Sequence, residues 1–221
     1  LRSVLKHIVA HTYKPLLVKY LSRTRVFRYN DLSLEIPPEV FHPGFFSSTL
    51  LLQQQVNKLY LEGKSLLELG AGSGLIAMSA AKKGALVTAT DINPVAVDYL
   101  HRNSKENNLD LEIIRSDLFA GIPGKKFDLI AINPPYYRKM AQTWYDHAWY
   151  CGENGEYFSG LFSQLEGYQH EGTTVLMVLC DGCDMEMIKA AAGKNGFHFQ
   201  LLLTKQSLLE KNFIYKIEKK K

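Results

Sequence analysis

A chain of 221 residues that is 46% apolar and 22% charged, with no low-complexity tract, has the size and composition of one well-buried domain. That excludes a disordered or fibrous protein, no apolar run approaches the roughly 20 residues of a bilayer-spanning helix, and three cysteines are too few for a disulfide scaffold. The net charge of +4 is unevenly placed: residues 1–30 hold seven cations (Arg2, Lys6, Lys14, Lys19, Arg23, Arg25, Arg28) and no acid, while the remainder carries 19 basic and 22 acidic side chains. A segregated basic arm is the electrostatic footprint of a polyanion partner; a solvated helix face is the alternative.

In that arm Leu5, Ile8, Val9, Leu16, Leu17 and Leu21 give a partial helical period broken at Pro15, which predicts one or two short helices. The stretch lacks the apolar core and cleavage site of a secretory leader. Its basic, acid-free character leaves a mitochondrial presequence open, with the cytoplasm as the expected location. Arg25–Tyr29 and Leu32–Ile36, parted by Asn30-Asp31, read as a hairpin. Pro37-Pro38 and Pro43-Gly44 mark a loop, and residues 49–61 read as a helix opened by Ser/Thr capping residues.

From residue 64 strands and helices alternate. Strands are expected at Ser65–Leu69, 86–90, Glu112–Arg115, Phe127–Ile132 and 173–179, with helices over 75–83, from Asn93-Pro94 to about 107, and over 185–192. Residues 197–203 and 212–217 complete the sheet as a hairpin, so one of them is antiparallel. The expected fold is α/β: a doubly wound, mostly parallel, seven-stranded Rossmann-like sheet in residues 41–221, preceded by the arm and hairpin of residues 1–40.

Ligands of such sheets collect beyond the carboxyl ends of the strands, and four strands here end in unusual residues. The first ends in Glu68-Leu69-Gly70-Ala71-Gly72-Ser73-Gly74, a glycine turn that lets a ligand approach the backbone. The second ends in Asp91, able to take two hydrogen bonds from a ribose diol. The third ends in Ser116-Asp117, a further polar position suited to an amino group. The fourth ends in Asn133-Pro134-Pro135-Tyr136, where neither proline can donate a backbone hydrogen bond and the chain must form a rigid corner. That corner presents an amide, a constrained carbonyl and a flat ring, the parts that grip a planar NH2 group.

The glycine turn and Asp91 are shared with NAD binders, but the spacing here is GxGxG rather than GxGxxG. Together the four strand ends resemble the class I S-adenosylmethionine-dependent methyltransferases over residues 41–180. The Asn-Pro-Pro-Tyr corner is similar to that of the amine-methylating branch, which includes release-factor glutamine, ribosomal-RNA guanine-N2 and nucleic-acid adenine-N6 enzymes. The resemblance implies S-adenosylmethionine as cofactor. Gly70, Gly72 and Gly74 would then pass beneath it, with Glu68 near its amino-acid end, Asp91 on the ribose, Ile92 and Leu118 against the adenine, and Asp117 on its amino group. Asn133 and the Pro134 carbonyl would accept hydrogen bonds from the target amine, and Tyr136 would stack on the acceptor, with Pro135, Tyr137 and Arg138 on the same side. The segment around Thr49 resembles one that covers the cofactor.

The acceptor is less defined. The basic arm and Arg138-Lys139 suit phosphate contacts, and the Ser116-Asp117-Leu118-Phe119 stretch resembles that of the RNA-modifying relatives, which together favour a base in RNA. A protein glutamine is the alternative, implied by the resemblance of Cys151-Gly152-Glu153-Asn154-Gly155 to a glycine loop of the glutamine methyltransferases, where Cys151 replaces a glycine, and a small amine is a third. An NAD-dependent oxidoreductase and a silent RNA-binding module remain readings of another class. Residues 136–158 hold eight aromatics, well above the chain's 11%, and read as a packed lid or a stacking surface. Cys180 and Cys183 have CxxC spacing with no second ligand pair nearby, so no metal is expected. His42, His147 and His170 show no ligand spacing and read as surface or packing residues.

Overall fold

The computed structural model describes residues 19–207 and 210–220; the helices expected within residues 1–18, and Arg2, Lys6 and Lys14 with them, lie outside that range. Two strands, β1 (Arg25–Tyr29) and β2 (Leu32–Ile36), form an antiparallel hairpin in which Tyr29 pairs with Leu32. Asn30 takes φ of 50°, as a two-residue hairpin turn requires. Leu32, Leu34 and Ile36 are buried in the same core as the main sheet, so the hairpin is packed onto the domain.

The main domain runs α1 (Ser47–Val56), β3 (Ser65–Leu69), α2 (Leu75–Ala81), β4 (Leu86–Asp91), α3 (Pro94–Glu106), β5 (Glu112–Arg115) and β6 (Phe127–Ile132). It continues through α4 (Glu156–Gln164), β7 (Gln169–Cys180), α5 (Met185–Lys194), β8 (Phe197–Gln206) and β9 (Lys211–Lys219). The seven strands stand in the order β5-β4-β3-β6-β7-β9-β8, and only β9 runs against the rest. Alternate residues of the central strands feed two cores: Leu66, Ala89 and Leu129 pack under α1, α2 and the hairpin, while Leu67, Leu69, Ile130 and Ile132 pack under α4 and α5. Strands buried on both faces must read as continuous apolar runs, which is why they were legible. The winding reverses between β3 and β6, and the crevice opens there.

Two asparagines one turn apart, Asn103 in the last turn of α3 and Asn107 at its C-cap, treat the free edge of β2 as a neighbouring strand would. Asn103 accepts from Glu35 N at 2.8 Å and donates to Glu35 O at 3.0 Å; Asn107 does the same for Ser33 at 2.9 and 2.8 Å. Asn93 caps α3 by accepting from Val95 N at 2.9 Å, as expected from Asn-Pro. Three elements differ from the sequence reading. The helix expected over 49–61 is Ser47–Val56, the strand expected at 173–179 begins at Gln169, and α4 was not anticipated. Among the described residues no helix is long and apolar enough to cross a membrane.

Candidate functional site

At the carboxyl ends of β3, β4 and β6 lies a cleft of about 630 Å³. Its floor is the glycine turn. Gly70 and Gly72 have φ of 73° and 51°, and a Cβ at Gly70 would meet nothing within 4 Å while one at Gly72 would reach only Val40, at 3.8 Å. These positions therefore bare backbone to the cleft, where a side chain would fill the space. Gly74 differs: it stands at the N-cap of α2, away from the cleft lining, where a Cβ would come 2.5 Å from Leu100. The space at Gly74 is thus limited by packing against α3, and Gly74 does not line the cleft.

Glu68 is buried, and its Oε2 accepts from Ala77 N at 2.6 Å, tying the end of β3 to the first turn of α2. Burial pushes its carboxyl up to about 8, with the Ala77 amide opposing and nearby Asp91 adding to the rise. In the unfolded chain the group titrates near 4.5, so the native state holds a proton that the unfolded state has lost between those values. Stability then declines as pH rises from about 4.5 to about 8 and levels off above. Replacing Glu68 with Gln should remove that decline, so wild-type Tm falls relative to Glu68→Gln across this range. Parallel Tm profiles for the two proteins would contradict the assignment.

Asp91 organises the next wall. Its Oδ2 accepts from Gly72 N at 2.8 Å and its Oδ1 from Asn93 N at 2.9 Å, so one carboxylate fixes both the glycine turn and the start of α3. Burial raises its pKa against those two amides, Asn93 first, and His147 across the cleft favours the charge. Ile92, Asp117 and Leu118 continue the wall, and Leu118 holds φ of 47°, unusual for a branched residue and typical of a constrained site. Gly160 of α4 makes room for it, since a Cβ there would lie 2.8 Å from Leu118 Cδ1.

The Asn133-Pro134-Pro135-Tyr136 corner forms the opposite wall. Asn133 Nδ2 donates to Thr49 Oγ1 at 3.0 Å and lies 3.4 Å from Ser48 Oγ; no described residue donates to its Oδ1. Tyr136 leans on Tyr137 with ring centroids 4.7 Å apart, and burial raises its phenol pKa, with Cys180 adding to the effect. Beyond the corner the chain makes an excursion whose neck is closed by backbone bonds. Tyr136 N and Tyr137 N both donate to Trp149 O, at 3.1 and 2.9 Å, and Cys151 N donates to Tyr137 O at 2.9 Å. Trp149 packs against Phe41 and Phe46, at 5.1 and 4.9 Å, and braces the excursion against the loop before α1. Met140 and Trp144 line the cleft yet stay 53% and 40% exposed, which puts them at its mouth.

The cleft thus gathers Thr49, Glu68, Gly70, Gly72, Asp91, Ile92, Asp117, Leu118, Asn133, Pro134, Pro135 and Tyr136 from the sequence candidates. Gly74, Tyr137 and Arg138 do not line it. Arg138 instead donates through Nε to Glu153 O at 3.0 Å and pairs with Asp184 at 3.3 Å. Sequence reasoning missed His147, read as surface or packing, and Tyr157, which α4 presents to the cleft near Asp91 and Asp117. The aromatic density of residues 136–158 was the available signal. His42 is buried, accepts from Gly44 N at 3.1 Å and has its pKa lowered by burial, while His170 lies 3.5 Å from Asp128. Cys180 and Cys183 stand 3.8 Å apart at the end of β7, and no cluster of three or more His, Cys, Asp or Glu suited to a metal occurs among the described residues.

The floor and walls fit an adenosine-bearing sulfonium: a bare glycine turn, a half-buried carboxylate for a diol, and a second carboxylate beyond two apolar side chains. The family model described as methyltransferase small domain matches residues 38–149. A provisionally named protein N5-glutamine methyltransferase of Methanocaldococcus jannaschii is 41% identical over 112 residues, covering 50% of this chain and 54% of its own length. The ribosomal RNA small subunit methyltransferase C of Haemophilus influenzae is 36% identical over 130 residues, covering 52% of this chain and 38% of the relative. The chain therefore spans about half or less of the curated relatives it matches. Among solved structures, a T. thermophilus 16S rRNA guanine-N2 methyltransferase bound to AdoMet and guanosine aligns with TM-score 0.66 and 21% identity, over 90% of this chain and 50% of that one. An E. cuniculi complex responsible for methylation of a translation termination factor aligns with TM-score 0.62 and 21% identity, over 82% and 99%. At those identities the two structures share the fold.

Proposed function

The chain belongs to the methyltransferase small-domain family, and from that premise we propose that it is an S-adenosylmethionine-dependent N-methyltransferase acting on a planar amine, most plainly a base in RNA. One observation carries the reaction type. The Asn133 amide turns its nitrogen to Thr49 and Ser48, which leaves its oxygen as the end offered to a ligand in the cleft. A carbonyl oxygen facing an NH2 group accepts from it, and with the Pro134 carbonyl it can hold both hydrogens.

S-adenosylmethionine, when bound, supplies a methyl group on a sulfonium centre that is already an activated leaving group. The protein's part is positioning and electrostatics. Asp91 and the backbone of Gly70 and Gly72 hold the adenosine end, with Ile92 and Leu118 against the ring and Asp117 at its edge. Asn133 and Pro134 draw the two amine hydrogens into hydrogen bonds, which turns the nitrogen lone pair out of conjugation. Tyr136 walls the acceptor, and the braced excursion of residues 137–151 keeps water from that side. No strong general base is required. The three free cysteines suit the reducing cytoplasm, where we place the protein.

Trp144, exposed at the mouth, favours a nucleic-acid base, because an aromatic face stacks on any base. A base within a duplex would first have to be flipped out. Protein glutamine is the second reading. It is favoured by Arg138, which is engaged with Asp184 and Glu153 and so does not stand free for phosphate. Incubation with methyl-labelled S-adenosylmethionine and separated RNA, DNA and protein fractions decides between them. Label in RNA is expected; label in protein alone selects glutamine, and label in no fraction defeats the reading.

Arg25 is no phosphate ligand: its Nε donates to Tyr20 O at 2.7 Å and its guanidinium lies 3.9 Å over the Tyr20 ring. Arg23 and Arg28 are exposed. Changing both to Gln should reduce the slope of log affinity for RNA against log salt by about 1 to 2 units. An unchanged slope would remove the basic arm from RNA binding.

A further inference from the structure

The hydroxyls that open α1 look in sequence like caps for that helix. In the structure Phe46 occupies the N-cap position and no side chain caps it. Ser48 and Thr49 are buried, and both hydroxyl oxygens meet Asn133 Nδ2, at 3.4 and 3.0 Å. The two ends of a carboxamide differ only in which accepts and which donates, and they exchange by rotation about one bond. If the nitrogen faced the acceptor amine, donor would meet donor. The corner cannot prevent that rotation by itself, because Pro134 and Pro135 have no N–H with which to hold the oxygen.

We propose that Ser48 and Thr49 are positioning residues that accept from the Asn133 nitrogen while its oxygen faces the acceptor amine, a role that rests on the methyl-transfer reading above. The hydroxyls can do this because their helix is fixed independently of Asn133. Ser47 Oγ accepts from Asn212 Nδ2 at 2.9 Å, Gln53 Nε2 donates to Ser79 Oγ at 2.7 Å, and Leu51, Leu52 and Val56 are buried. The helix is thereby anchored at its first turn to the start of β9 and at its second to α2, and it presents its two hydroxyls to the end of β6. Thr49 also lines the cleft, so its side chain could instead serve the cofactor directly. The two roles give opposite kinetic signatures.

Thr49→Val keeps the shape and removes the oxygen. It should lower kcat by about 10- to 100-fold with S-adenosylhomocysteine affinity unchanged, Ser48→Ala should deepen the loss, and Thr49→Ser should restore most of it. A second readout needs no acceptor: in protein with ¹⁵N-labelled asparagine side chains, the Asn133 NH2 pair, assigned through Asn133→Ala, should shift and lose protection from exchange in Thr49→Val. Loss of cofactor affinity with unchanged kcat, an unmoved Asn133 resonance, or failure of Thr49→Ser to restore activity would overturn the assignment. Should the wild type methylate no acceptor, the functional reading fails while the resonance still decides whether the hydroxyls hold the amide.

Discussion

Asn133→Ala is expected to lower methyl transfer by about 10³-fold or more while cofactor affinity stays within about twofold of the wild type. The split follows from placement. Asn133 closes β6 on the acceptor side of the cleft, whereas the glycine turn and Asp91 belong to β3 and β4, and no hydrogen bond joins the two sets among the described residues. Removing the amide leaves the Pro134 carbonyl as the remaining acceptor and frees the Thr49 hydroxyl, neither of which can turn a conjugated lone pair toward the donor. Asn133→Asp sharpens the test. The substitution preserves size but replaces the N–H that donates to Thr49 and Ser48 with a second acceptor oxygen, so those hydroxyls must turn to donate and its transfer should also fall. Single-turnover rates at saturating cofactor measure the effect without interference from product release. Turnover by Asn133→Ala equal to that of the wild type would show that the corner is structural and that the amine is held elsewhere.

The second large effect is at Asp91. Its carboxylate holds the Gly72 amide and the Asn93 amide, and in the proposed reading its remaining lone pairs take the ribose diol. Hydrogen bonds to an ionised group are worth about 1.5–3 kcal/mol each, so loss of two to the ribose should weaken cofactor binding by about 100-fold or more. Asp91→Ala should also lower Tm, because the Gly72 and Asn93 amides lose their partner and the turn loosens. Asp91→Asn keeps one carbonyl oxygen and should fall between the two in both measurements. Calorimetry with S-adenosylhomocysteine, alongside a thermal melt of each variant, separates the binding loss from the structural one. Unchanged affinity in Asp91→Ala would place the ribose elsewhere.

The parts legible in sequence were those whose cause is local. Buried strands read as apolar runs, Asn93-Pro94 announced a capped helix, and two strand ends carried the glycine turn and the paired prolines that a continuing strand does not tolerate. What escaped depends on distant partners. Ser48 and Thr49 follow the local rule for caps, yet Thr49 bonds to an asparagine 84 residues away. Gly74 sits in a glycine motif but holds φ of 78° and lies against Leu100 of α3, which the motif does not mention. The start of β7 was hidden because its register with β6 jumps between Phe127 and Leu129, and Gln169-His170-Glu171-Gly172 shows no strand alternation. The cleft-facing side chains of His147 and Tyr157 reach the site only when residues 137–151 fold back and α4 packs, an arrangement that periodicity does not encode. Arg138 beside the corner read as a phosphate contact, but Asp184 of the loop before α5 takes its charge.

All of these assignments place S-adenosylmethionine's adenosine end over the glycine turn and its methyl group toward Asn133, and one titration tests that placement most directly. The wild-type protein is titrated calorimetrically with S-adenosylhomocysteine and, separately, with NAD. One S-adenosylhomocysteine bound per chain, with the heat lost in Asp91→Ala and retained in Asn133→Ala, is the predicted result. Binding of NAD in place of S-adenosylhomocysteine, or of neither, would contradict the account.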